Sequence, residues 1–247
     1  MTRNFKKILL SVLIYSIAMG LLEAIVVVYL RDIYYPSGFK FPLMIIPDST
    51  LRVEILREFC TLVMIVSVAY IAGKNKMEVF SFFLFSFAVW DLAYYAGLKL
   101  ILNWPPSFFT WDILFLIPIP WIGPVLAPIT SSICMIILSL LFLFIEKKDE
   151  KAKIKAKEWI LIYSGAVFIF VSFIWDYAEI IISNNLLRNI LSLKQSAFIE
   201  ISQKYIPHNF HWDLFLIGIF LICVSIFLIL KRNGLILKKN ISGLKSL

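Results

Sequence analysis

Residues 77–102 read MEVFSFFLFSFAVWDLAYYAGLKLIL, a run in which only Glu78, Asp91 and Lys99 are charged. A hydrocarbon core about 30 Å thick takes about 20 residues of helix to cross. The run is long enough and is continuously apolar, without the alternation of a barrel strand. In lipid such a segment must satisfy its backbone internally, so it reads as a membrane-spanning helix.

The rest of the chain follows the same pattern. Of 247 residues, 61% are apolar and 16% charged, too little polar surface for a soluble domain of this length. Apolar segments predict six helices over residues 8–30, 53–73, 77–102, 123–145, 159–183 and 212–230. The expected fold class is therefore all-α, a single integral membrane domain spanning residues 1–247. The first segment follows Arg3, Lys6 and Lys7 like a signal peptide, but its apolar run is too long and continues through Glu23, which predicts a retained helix. Pro118, Pro120, Pro124 and Pro128 break the apolar stretch before the fourth helix, which predicts a short irregular segment there and no strand. Residues 146–158 form a basic linker. The Leu and Ile spacing within 184–205 predicts an amphipathic helix on the membrane surface.

Sixteen of the 24 Lys and Arg residues lie in the N-terminal segment, the 74–76 turn, the 146–158 linker and the C-terminal tail. By the positive-inside rule, both termini are expected in the cytoplasm and the chain in the cell membrane as a multi-pass protein. The net charge of +8 is thereby assigned to topology and to the lipid bilayer as partner, with no nucleic acid implied. Cys60, Cys134 and Cys223 each fall in a different apolar run, without metal-ligand spacing.

One dipeptide recurs. Trp-Asp stands at Trp90-Asp91, Trp111-Asp112, Trp175-Asp176 and Trp212-Asp213, against roughly 0.2 occurrences expected from seven Trp and seven Asp placed at random. Thr110-Trp111-Asp112-Ile113-Leu114-Phe115-Leu116 and His211-Trp212-Asp213-Leu214-Phe215-Leu216-Ile217 are near-copies, which suggests a repeated helical hairpin. Trp at these positions suits the aromatic belt, and Asp112 and Asp213 suit helix N-caps. Glu23, Asp91 and Asp176 are different, because they lie well along outward-running helices where the dipole gives an anion nothing. Counted at about 1.5 Å per residue, these three and Glu58 reach a similar depth, about 21–24 Å from the inner ends. Ionised carboxylates in that position must face a polar interior.

Glu23, Glu58, Asp91 and Asp176 are thus the candidate catalytic acids, with Arg57 as their counter-ion. His208 and His211, the chain's two histidines, join Glu179 as candidate ligands of a divalent metal ion. A metal held with an open position would activate water for a membrane-embedded hydrolase or lipid-modifying enzyme. Proton- or cation-coupled transport is a second expectation, weakened by the scarcity of acids in the inner halves of the helices. Buried ion pairs that fix helix packing are the third.

Overall fold

The computed structural model describes residues 4–44, 46–148, 154–183 and 205–235. Six long helices dominate: α1 (Phe5–Tyr34), α2 (Asp48–Ala72), α3 (Lys76–Leu102), α4 (Leu126–Lys148), α5 (Ala156–Ser183) and α6 (Trp212–Arg232). All six are long and apolar enough to cross a membrane. The expected amphipathic helix at 184–205 lies, apart from Tyr205, outside the described residues.

Two of the helices begin where the sequence supplies a side-chain partner for free N–H groups. Asn4 accepts from the Lys7 N–H, and Asn75 accepts from both Met77 and Glu78. Pro128 sits in the first turn of α4, where a missing N–H costs no hydrogen bond. α3 ends at Asn103, whose φ of 53° is a left-handed conformation that asparagine tolerates.

α3 is the hub and packs on α1, α2 and α4, while α5 pairs with α6 and α6 touches α4. Small residues set the closest approaches. Gly20 lies against the Trp90 carbonyl and Ala93, and Gly97 lies against Ala24, so α1 and α3 meet through small-xxx-small faces. A Cβ on Gly165 or on Gly218 would stand 2.7 Å from the other's carbonyl oxygen, so α5 and α6 touch backbone to backbone.

Two strands overturn the expectation of a strandless chain. β1 (Trp111–Phe115) and β2 (Trp121–Pro124) pair antiparallel, with Asp112 opposite Gly123 and Ile113 opposite Ile122. The prolines explain why this near-copy of the α6 start does not continue as helix. Pro118 and Pro120 would remove helical hydrogen bonds within two turns of Asp112, whereas no proline follows Asp213 within α6. Asp112 is consequently a strand residue and not an N-cap. At α6 the N-cap is His211, which makes no side-chain cap bond, and Asp213 falls in the first turn. The hairpin is packed into the bundle, with Asp112, Phe115 and Ile122 all buried.

Candidate functional site

The charges of the sequence analysis lie at one end of the bundle, here called the acidic end, and sort into two groups. The first surrounds a cavity of ≈ 180 Å³ between α1, α2, the 35–47 connection and β1.

On α2, one helical turn presents Glu54, Arg57 and Glu58. Arg57 donates from Nε to Glu54 at 2.8 Å and from Nη1 to Glu23 on α1, which gives Glu23 its counter-ion across the α1–α2 interface. Glu58 faces the hairpin. Both of its oxygens accept from the Leu116 N–H, at 2.9 and 3.2 Å, so this carboxylate caps a backbone group just past β1. Arg57 thus has Glu23 and Glu54 as its partners, while Asp91 and Asp176 are held by hydroxyl groups elsewhere.

Across the cavity stands an ion pair between residues 81 apart. Arg31, near the end of α1, donates from Nη2 to Asp112 Oδ1 at 3.2 Å, and both side chains are almost fully buried. Tyr95 donates to the other carboxylate oxygen at 3.2 Å and Tyr94 reaches it at 3.5 Å. The Arg31 guanidinium lies over the rings of Trp104 (3.8 Å) and Phe39 (4.6 Å), a desolvated cation–π arrangement. Its Nη1 is buried without a hydrogen-bond partner among the described residues. Burial pushes the Asp112 carboxyl up to about 6, while Arg31 and the hydrogen bonds it accepts pull the other way. A carboxyl raised in this way beside a buried guanidinium is a group that can exchange a proton more readily than a solvent-exposed aspartate.

Asp91 faces away toward α4, where it accepts from the Ser132 hydroxyl at 2.7 Å. It belongs to the neighbourhood of Asp112 and does not line the cavity. Trp90, expected in an interfacial belt, is buried against Met19, Ile65 and Phe115. Tyr94 and Tyr95 are likewise buried.

The second group lies on α5 and α6. Asp176 accepts from the Tyr205 hydroxyl at 2.7 Å and stands 3.5 Å from His211 Nε2, whose Nδ1 is 3.7 Å from Asp213. Trp175 packs over the His211 ring with centroids 5.1 Å apart. His208 and Glu179 are exposed, whereas His211 is half-buried. Among the described residues no three His, Cys, Asp or Glu side chains come together as a metal ion requires. The donor set expected for a divalent cation therefore does not fit here, because only His211 of the three expected ligands meets a carboxylate. Glu58 and Arg57 line the cavity, Glu23 joins them through Arg57, and Asp176 meets Tyr205 and His211 instead.

Sequence reasoning missed the Arg31–Asp112 pair and the role of Glu54. The one available signal was Arg31 itself, a cation at the acidic end with no acid near it in sequence except Asp32, which is exposed.

The lining of the cavity is mixed. Arg31, Glu54, Arg57, Glu58 and Asp112 contribute charged side chains to it, and Val27, Leu30, Leu43, Ile46 and Leu51 contribute apolar ones. Compared with protein-family models, with curated proteins and with solved structures, the chain matches none.

Proposed function

We propose that the chain is a multi-pass protein of the cell membrane, with both termini cytoplasmic, that takes the polar head of an amphiphilic, lipid-like molecule into the cavity at its acidic, outward end. The observation that carries this reading is a cavity lined by both charged and apolar side chains, between helices long and apolar enough to cross a membrane. A headgroup needs the charged groups and its chain the apolar ones. A purely structural set of ion pairs would have no use for the space between them. Glu58 and Asp112 then touch the headgroup, where either carboxylate can exchange a proton with it, as a metal-free lipid-modifying enzyme would require.

Coupled transport is less well supported, because the packed core in the other half of the bundle offers no polar path among the described residues. Val12, Phe82, Phe85, Val89 and Leu143 pack together there, and Ser16 and Ser86 bond each other at 2.7 Å. A through-path needs polar steps, and these hydroxyls are already satisfied. The recurrent Trp-Asp supports a shared origin for the α3–α4 and α5–α6 hairpins, with the prolines after Asp112 marking where the copies diverged.

Native mass spectrometry of the purified full-length protein tests the reading. Wild type is expected to carry an amphiphile that Leu51→Trp, which fills the cavity from its apolar lining, and Arg31→Gln both lose. Equal retention of the same species by all three proteins, or none by folded wild type, would refute it.

A further inference from the structure

A second cavity, of ≈ 660 Å³, opens between α2 and α3 at the opposite, basic end of the bundle. Its apolar floor is Val66, Ala69 and Tyr70 on α2 with Val79, Phe80 and Phe83 on α3, and Lys74 and Lys76 stand at its rim. We propose that this groove holds one anionic phospholipid, with its phosphate between Lys74 and Lys76 and the upper part of an acyl chain along the floor. The proposal stands independently of the role of the acidic-end cavity.

Three observations carry it. The first is that the rim is built and not merely basic. Gly73 ends α2 in an extended conformation so close to Val79 that a Cβ there would overlap the Val79 backbone. Asn75 then caps α3 and donates from Nδ2 to Glu146 of α4 at 2.6 Å. A turn pinned at both sides holds the two lysines at a fixed separation. The second is charge. The nearby acids are turned inward, Glu78 accepting the Lys74 N–H and Glu146 taking Asn75, while Lys74 and Lys76 are exposed and make no ion pair among the described residues. The positive end of the α3 dipole lies at the same rim. The third is length. From Lys76 to Phe83 the floor runs about 10 Å along the helix, which suits the headgroup-proximal part of an acyl chain. Lysines at the end of an apolar groove match an anionic lipid, whereas a zwitterionic one offers no net charge to either of them.

Native mass spectrometry of full-length protein titrated with phosphatidylglycerol or with phosphatidylcholine of identical acyl chains provides the test. Wild type is expected to retain one phosphatidylglycerol in preference to phosphatidylcholine. The Lys74→Gln/Lys76→Gln variant should bind it roughly twenty-fold more weakly, each basic group near an anionic headgroup contributing about a fivefold factor. Lys6→Gln/Lys7→Gln removes the same charge from the same end and should leave retention unchanged; an equal loss in that variant would mean diffuse attraction and would overturn the site. Val66→Trp fills the floor with both lysines intact. Its thermal midpoint should stay at the wild-type value while its phosphatidylglycerol is lost, and undiminished binding would remove the acyl chain from the groove. Inorganic phosphate retained as tightly as the lipid would equally refute a lipid site.

Discussion

At the scale of single residues, the acidic end shows how a membrane protein holds charge out of water. Breaking one member of a buried pair leaves its partner uncompensated, a cost of about 3–5 kcal/mol. Arg31 and Asp112 reduce that exposure through stacked rings and two tyrosine hydroxyls, yet burial still dominates the carboxyl of Asp112. The pH consequence has a definite sign. A carboxyl whose folded pKa is about 6, against about 3.9 unfolded, binds its proton more tightly in the folded state. Its favourable contribution is therefore fully present below about pH 4 and is lost as pH rises through 6, a swing on the order of 3 kcal/mol. Thermal denaturation in detergent between pH 4 and 7 should show this component as a falling midpoint. Asp112→Asn should flatten it, and an unchanged slope in that variant would assign the titration elsewhere.

At the scale of elements, packing through glycine decides where helices meet. Gly165 and Gly218 place the backbones of α5 and α6 in direct contact, and neither carbonyl can swing aside as a flexible side chain would. Gly218→Val is expected to force the two helices apart, at a cost near the upper end of the 1–3 kcal/mol usual for overpacking. The neighbouring Ile217→Val, on an exposed face, should be nearly silent. Comparing the two thermal midpoints checks this, and matched midpoints would mean that α5 and α6 do not approach as described. The elements were largely legible from hydropathy. The observed spans extend the expected ones by a few residues, as at α1, which runs from Phe5 to Tyr34 where apolarity alone marks 8–30. Polar residues such as Asp32 and Asp48 continue the helices beyond the hydrocarbon, and hydropathy is blind to them. The hairpin was not legible, because its strands reuse the letters of a helix start and only the prolines that follow differ. The candidate site was legible in depth but not in partnership. Rise per residue placed Glu23, Glu58, Asp91 and Asp176 at one level, but helix arrangement decides which of them face each other. It sends Asp91 to Ser132 on α4 and Asp176 to Tyr205.

At the scale of the whole molecule, the chain has two chemically distinct ends, and the proposed roles of both cavities depend on which side of the membrane each occupies. In the proposed topology six crossings return the C-terminus to the side of the N-terminus, and the concentration of lysine and arginine around Lys6, Lys74, Lys147 and Lys231 is the argument for a cytoplasmic face there. That topology puts the turn before β1 outside, and Phe109 in this turn is well exposed. In a background with Cys60, Cys134 and Cys223 replaced by alanine, Phe109→Cys should react with a membrane-impermeant maleimide in intact cells. Lys6→Cys should react only after permeabilisation. The reverse labelling would invert the molecule, placing the acidic cavity in the cytoplasmic leaflet and the lysine-rimmed groove in the outer one, where the positive-inside bias could not have put it. Labelling of both sites in intact cells would instead mean an even number of crossings between positions 6 and 109, and one of α1, α2 and α3 would then have to lie outside the bilayer.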